Sequence, residues 1–390
     1  MRIAIFDHDM SAANAVGGCH LQIAQGLAAE HEFVVFAPSM EPSTIPRVRW
    51  VKVPVLRRPA VALFLSFHVM AMLIYWMDRV RTGKHFDLIQ IVETNLVFGN
   101  LSYAHFCHRA YLQKQGRELL GGGIRAKLRW LDHVFRSALE PLTYRRVRSI
   151  VVPSRGAAEE LNRWFPVSKG KTRVIPNPLD LDRLSPPEDL DRRKLRADYG
   201  YEDSDLVLLF AALGHFERKG LPQLMEAIAA NTNAELKLMV VGGTPDLVAI
   251  YERQAAQLGA SSRIMFLGWQ MDIRPFLWLS DALVLPSAYE TFSLIVHEGA
   301  AANLPVIAPS LHGVEELLED GLTGILIEPT VAGISAGLRQ LIALDPSERR
   351  NMGAQARKRV GAFGIAAFVD AWREHYRQMC EAEPTDSATR

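Results

Sequence analysis

The chain of 390 residues is 49% hydrophobic and 22% charged, without a low-complexity tract or detectable internal repeat, as expected of a soluble globular protein of two ordinary domains. Net charge is only +1, yet residues 1–180 carry about +10 and the remainder about −9. Three widely spaced cysteines, Cys19, Cys107 and Cys380, argue against a disulfide framework or a C-x-x-C zinc site and fit a reducing cytoplasm.

The opening run MRIAIFDHDM is too short for a signal peptide and predicts a first β-strand. The loop after it, DHDMSAANAVGG, lacks G-x-G-x-x-G, which disfavours a dinucleotide-dependent oxidoreductase. It ends in Gly17 and Gly18 directly before the amphipathic CHLQIAQGLAAE, where amides at a helix start could meet an anion; a plain helix-entry turn explains the glycines equally well. Asp7 and Asp9 resemble a metal-binding D-x-D, but Asp-Leu-Asp recurs at 180–182 and 189–191, so no metal is expected. Further strands are predicted at EFVVFAP, VRWVKVP, DLIQIV, LSYAHF, SIVVPS and TRVIPN.

Two stretches of this first half bear on partners. Ala60–Met77, AVALFLSFHVMAMLIYWM, follows Arg57 and Arg58 and precedes Asp78 and Arg79. It reads as a buried helix, an interfacial helix or, at the lower limit of length, a membrane span. Much of the positive excess lies between Arg109 and Arg148, a pattern suited to an anionic membrane surface or phosphorylated substrate. No nucleic-acid-binding signature accompanies it, so nucleic acid is not expected as a partner.

The proline- and charge-rich PNPLDLDRLSPPEDLDRRKLRADYGYEDSD reads as a linker. Beyond it, strands are predicted at LVLLFAAL, LKLMVVGG, RIMFLG, ALVLPS, PVIAPS and GILIEP, each followed by a helical pattern or loop. The expected architecture is α/β, with two doubly wound domains facing across a cleft. The first spans 1–178, the second 179–361; a helix at about 362–380 returns to the first, and 381–390 is a disordered tail. In such sheets ligands sit outside the carboxyl ends of the strands, so the loops there hold the functional candidates.

Two of these loops concentrate chemistry. LFAALGHFERKGLPQLMEAIA puts Arg218 and Lys219 between a strand and an amphipathic helix, where guanidinium and ammonium can hold two phosphates without a metal. PSAYETFSLIVHEGAA carries Glu290 just before a helix start and Glu298 some five residues inside it, with Thr291 or Ser293 as candidate caps. The amides of Phe292, Ser293 and Leu294 and the positive end of the dipole suit a diphosphate. If a diphosphate sits there, carboxylates repel it, so the two glutamates would face what flanks it, a ribose diol and a sugar with hydroxyls, each a donor pair for an acceptor-only group; a helix-surface or core-edge carboxylate is the alternative for each, since glutamates eight apart also arise by chance in a chain with 43 acids.

The run PSAYETFSLIVHEGAAANLPVIAP, with HGVEELL and DGLTGILI after it, resembles the retaining GT-B glycosyltransferases of family 4. The similarity extends over most of the second half and into SIVVPSRGAAEELNRWFPVSKGKTRVIPNPLDLDRL; the R-K-G loop resembles that of the lipopolysaccharide core glucosyltransferases. Thr291 and Ser293 stand where the family has two glycines, Asn303 and His312 replace two more, and His215 follows Gly214 where many members have arginine. The resemblance implies a retaining hexosyltransferase with no cofactor but a UDP- or GDP-sugar donor. Glu290 would bind the donor sugar, Glu298 the ribose diol, Arg218 and Lys219 the diphosphate, and His105 would position and polarise the sugar, with His108 a weaker candidate. A glycan or lipid-linked acceptor at the inner membrane face is the expected partner. Alternatives are a GT-B sugar-nucleotide epimerase and a non-catalytic sugar-nucleotide-binding module.

Overall fold

The computed structural model describes residues 1–41, 45–121 and 123–381, so all of the expected tail but Glu381 lies outside the described residues. The chain divides into two compact units, one of 1–178 with 365–390 and one of 179–364.

The first unit holds β1 (Arg2–Phe6), β2 (Asp9–Met10), β3 (Glu32–Ala37), β4 (Ser39–Met40), β5 (Val48–Lys52), β6 (Leu88–Val92), β7 (Leu101–Tyr103), β8 (Ser149–Val152) and β9 (Thr172–Val174). Seven of them form a parallel sheet in the order β5-β3-β1-β6-β7-β8-β9, and β2 pairs separately with β4. The chain therefore reverses direction across the sheet between β1 and β6. The apolar runs work because both faces are covered. Ile3 and Ile5 pack with Leu21, Ile23 and Trp372, whereas Ala4 and Phe6 pack with Phe67, Ala71 and Tyr144. The Ile365–Glu381 helix supplies Phe368, Trp372 and Tyr376 to the first of these cores. It is fixed by Tyr376, whose hydroxyl donates to Gln90 Oε1 at 2.6 Å, and by the 3.1 Å bond between His375 Nε2 and Ser149 Oγ. The β2–β4 pair, two residues a side, is too short to announce itself in the sequence.

The Ala60–Thr82 helix divides its apolar residues between two environments. Val61, Phe64, Phe67, Ala71 and Tyr75 are buried against the sheet, while Leu65, Val69, Leu73, Trp76, Met77 and Val80 are exposed. A helix buried on all sides is therefore ruled out for this segment.

The second unit holds β10 (Leu206–Ala211), β11 (Leu236–Val241), β12 (Ile264–Gly268), β13 (Ala282–Val284), β14 (Val306–Ala308) and β15 (Gly324–Leu326). They form a parallel sheet in the order β12-β11-β10-β13-β14-β15, which reverses between β10 and β13. One expectation changes here. The charged stretch before β10 is no free linker: it forms the Leu181–Leu184 and Arg192–Asp198 helices, and buried Arg196 pairs with Asp281 at 3.1 Å and donates to two carbonyls. The segment HGVEELL makes only a run of turns around Val314, with no α-helix between β14 and β15.

Candidate functional site

The loops after β10 and β13 flank the reversal point of the second sheet, where a doubly wound fold opens its ligand crevice. Their approach depends on one glycine. Gly220 has φ +81°, and a Cβ there would lie 2.1 Å from Pro286 O, so only glycine lets the R-K-G turn lie backbone to backbone on the β13 loop. The contact is sealed by the Ala288 amide donating to Arg218 O at 2.9 Å.

The cations and carboxylates meet on this platform. Lys219 Nζ donates to Glu290 Oε1 at 2.5 Å, and both side chains are largely buried. Arg218 Nη1 donates to Tyr289 O at 2.7 Å, which aims the guanidinium along the same loop. Just beyond, the Leu294–Ala301 helix begins with Ser293 as N-cap, but the serine makes no cap hydrogen bond, contrary to the expected role. Its hydroxyl is buried without a partner, and the amides of Phe292, Ser293 and Leu294 have no protein acceptor among the described residues. Both serine and threonine are compatible with the backbone here, because neither Thr291 nor Ser293 has a positive φ. Asn303 does take φ +62°, a left-handed position that asparagine tolerates better than most non-glycine residues. Phe292 is stacked on His297 at 4.1 Å and lies against Gly313, whose Cβ would reach 2.9 Å from Phe292 Cα.

Glu298 is the fifth residue of that helix, about 6 Å along its axis from Leu294. Its carboxylate is partly buried and has neither a hydrogen-bond partner nor an ion pair among the described residues. Desolvation pushes its pKa up to about 7. The helix thus carries an acceptor with no protein donor, one turn past a set of amides with no protein acceptor.

In the first unit, His105 follows β7 and its Nε2 donates to Asn177 Oδ1 at 2.9 Å, an oxygen that also accepts from Tyr103 Oη at 3.1 Å. Burial lowers its pKa to about 4, so the ring is neutral and Nδ1, buried without a partner, is an acceptor. Nothing in the sequence singled out Asn177. His108 lies deeper, with Nε2 on Glu93 Oε2 at 2.9 Å and Nδ1 2.9 Å from His133 Nδ1, a buried network rather than an open site.

Gly17 and Gly18 do not offer the free amides expected of them. The helix starts two residues earlier, at Ala15, and its Asn14 cap takes the Gly17 amide on the side chain at 2.9 Å and the Gly18 amide on the carbonyl at 2.7 Å. Gly17 is needed for packing instead, since a Cβ would fall 2.0 Å from Asp9 O. Asp7 and Asp9 are engaged locally, with His20 Nδ1 at 2.6 Å and with Ser39 Oγ at 2.9 Å. Of the basic stretch, Arg136 turns inward to Asp132 at 3.0 Å and to Glu93 at 3.6 Å.

Two family models match in tandem and together take up most of the chain: Glycosyltransferase Family 4 over residues 20–183 and Glycosyl transferases group 1 over 191–359. The lipopolysaccharide core biosynthesis glycosyltransferase LpsE of Rhizobium meliloti is 30% identical over 246 residues, 62% of this chain and 66% of that protein. The chain thus spans slightly less than two thirds of that relative. Among solved structures, sucrose-phosphate synthase from Thermosynechococcus elongatus superposes with TM-score 0.80 at 22% identity, covering 98% of this chain and 100% of the other. Anabaena HepE in complex with UDP-glucose superposes with TM-score 0.71 at 20% identity, over 97% and 100% of the two chains. These likenesses establish the α/β fold with two parallel-sheet units.

Proposed function

The chain belongs to the glycosyltransferases described by those two models, family 4 and group 1, and on that premise we propose that it transfers a hexose from a nucleoside diphosphate sugar to a glycan or lipid-linked acceptor, with retention of anomeric configuration and without a metal. The observation that carries this reading is Glu298: a desolvated carboxylate with no protein donor, on the same helix as unpaired amides. A ribose diol supplies two hydroxyl donors to the first and a diphosphate supplies acceptors to the second.

The remaining roles follow from charge. Arg218 and Lys219 face the diphosphate and offset the charge that grows on it as the glycosidic bond to phosphate breaks. Glu290 then accepts from hydroxyls of the donor sugar; without donor its charge is matched by Lys219. His105, neutral, holds a sugar hydroxyl on Nδ1. The acceptor oxygen bonds to the anomeric carbon on the face the leaving group vacates, and its proton passes to the departing phosphate oxygen. No protein base is required. HepE's complex with UDP-glucose makes UDP-sugars the first donors to try.

Thermal shifts with a panel of UDP-, GDP- and ADP-sugars test donor binding. Release of nucleoside diphosphate that depends on an acceptor supports transfer. Interconversion of the donor without release supports epimerisation, and binding with neither leaves a non-catalytic module. Activity should survive excess chelator; loss restored by manganese or magnesium overturns the metal-free account.

Peripheral contact with an anionic membrane at the inner face completes the reading. Leu65, Val69, Leu73, Trp76 and Val80 recur at helical spacing on the exposed face of the Ala60–Thr82 helix. Arg57 and Arg58 precede the helix, and Arg79 and Arg81 lie in its last turn, with Arg79 over the Trp76 ring at 5.2 Å. Apolar stripe and basic flanks together suit an anionic interface.

A further inference from the structure

A cavity of about 510 Å³ opens between the Leu221–Ala230 and Val331–Ala343 helices of the second unit, and none of the roles above uses it. Its place in the fold sets it apart from the loops after β10 and β13. The R-K-G turn leads into the first turn of the Leu221–Ala230 helix, and the cavity lies at the other end of that helix, about 15 Å away at 1.5 Å per residue. We propose that this cavity is a second ligand site, which takes a small sugar phosphate by its phosphate monoester.

Small side chains make the room. Ala227 and Ala230 line the cavity from the first helix at the i, i+3 spacing of a single face, and Ala343 lines it from the second. Ser335, Arg339 and Ile342 recur at helical spacing on the same side of the second helix. The turn that leaves the first helix, Asn231-Thr232-Asn233, completes the wall. The volume falls within the range of small-molecule sites, roughly 300–1,000 Å³, and leaves space for a body beyond the phosphate group itself.

The polar groups left over in this wall are donors. Asn231 Oδ1 accepts the Asn233 amide at 2.9 Å, and Asn233 Oδ1 accepts the Glu235 amide at 2.9 Å. Both side-chain oxygens are thus engaged, while neither NH2 group has a protein acceptor among the described residues. Arg339 is exposed and has neither hydrogen bond nor ion pair among the described residues. No acid is among the described residues that line the cavity. The carboxyl end of the Leu221–Ala230 helix adds negative potential, but Arg263 offsets it, donating to Asn231 O at 2.7 Å and to Ala229 O at 3.1 Å. An uncompensated guanidinium beside two amide donors matches a phosphate and repels a cation. The rest of the ligand is set by the remaining wall. No aromatic ring lines it, so a nucleobase has nothing to stack on. Thr232 and Ser335 offer hydroxyls beside the aliphatic Ile342 and the alanines, a surface for a sugar.

The test is isothermal titration of the full chain with the 6-phosphates of glucose, galactose and mannose, beside inorganic phosphate, AMP and glucose. At least one sugar phosphate should bind, and more tightly than any of the three comparison ligands. Arg339→Gln should weaken it about 10-fold or more, the loss expected when a charge-assisted pair is removed. The side chain is exposed, so this variant should melt as the native chain does. Ala230→Leu, at a second exposed position, narrows the cavity without touching its charge and should weaken the sugar phosphate more than inorganic phosphate. Arg218→Ala with Lys219→Ala separates the two sites: sugar-phosphate binding should survive it, as nucleotide-sugar binding should survive Arg339→Gln. Failure of every sugar phosphate to bind, a preference for AMP or inorganic phosphate, an affinity unchanged in Arg339→Gln or in Ala230→Leu, or a loss that falls on the Arg218 and Lys219 variant instead each overturns the assignment. Absence of nucleotide-sugar binding strikes the transfer reading and leaves this site standing.

Discussion

Replacing Glu298 by glutamine separates what this carboxylate does for the fold from its proposed role toward the donor. In the fold its pKa is about 7, against an ordinary value of 4.5, and burial is the cause. Between those values the folded chain holds a proton that the unfolded chain has released, so stability falls as pH rises through that window and stays lower above it. Full burial sets the upper limit at about 3 kcal/mol. The side chain is only partly buried, so screening leaves roughly 1–2 kcal/mol. Glu298→Gln does not titrate and should match the native chain near pH 4.5 but melt roughly 2–6 °C higher at pH 8. The same substitution replaces a charged acceptor of two hydroxyls by a neutral amide, worth about 1.5–3 kcal/mol, or roughly 10–100-fold in donor Kd. In the native chain donor affinity should rise as pH passes through about 7, because only the ionised form accepts from both hydroxyls. Differential scanning fluorimetry and calorimetric titration of the best nucleotide sugar, both from pH 5 to 8.5, measure the two effects. A glutamine variant no more stable at pH 8 than the native chain, or one that binds donor with unchanged Kd and the same pH profile, refutes the reasoning.

Replacing Arg218 and Lys219 together by alanine should lower kcat for transfer by about 100-fold or more while the fold persists, since the loss falls on the charged leaving group; near-normal turnover removes that account. Gly220→Ala should lower the melting temperature of the second unit sharply, as the methyl group meets Pro286 O and the φ of +81° is strained, costing about 2–4 kcal/mol; a melting temperature within 1–2 °C of native, roughly, contradicts the close approach. Leu73→Asp with Trp76→Asp should abolish flotation with vesicles containing phosphatidylglycerol at little cost in stability, since both side chains are exposed; retained flotation places membrane contact elsewhere or nowhere on this helix.

The strands and the family-like loop were readable because each is written locally. Apolar runs bounded by turn residues marked every strand of the two large sheets, and the glutamates eight positions apart lie in one continuous segment. The departures have local causes as well. Asn14 rather than Gly17 starts the first helix, because a short polar side chain that accepts two amides is a stronger cap than a glycine pair. Arg196 looked like part of a solvated run until Asp281, far along the chain, gave it a buried partner. Glu93 and Asn177 were invisible for the same reason: their significance depends on His108, Arg136 and His105, which the fold brings together from distant positions.

On the proposed reading, the two glutamates of the loop and helix after β13 solve one electrostatic problem in two ways. A carboxylate beside a diphosphate is repelled unless its charge is matched or suspended. Glu290 has its match in Lys219, at 2.5 Å across the contact that Gly220 permits. Glu298 has none among the described residues, and on the same reading desolvation suspends its charge near neutral pH until a pair of hydroxyl donors arrives. Binding at Glu290 is therefore an exchange of partners, and binding at Glu298 a change of protonation. The second is the more demanding of the ligand: a phosphate alone offers no hydroxyl pair, so inorganic pyrophosphate should bind more weakly than a nucleoside diphosphate and gain nothing as pH rises through about 7. Isothermal titration of both ligands at pH 6 and pH 8 decides it, for a pyrophosphate affinity that climbs with pH as the nucleotide's does would place the titrating group elsewhere than on the ribose.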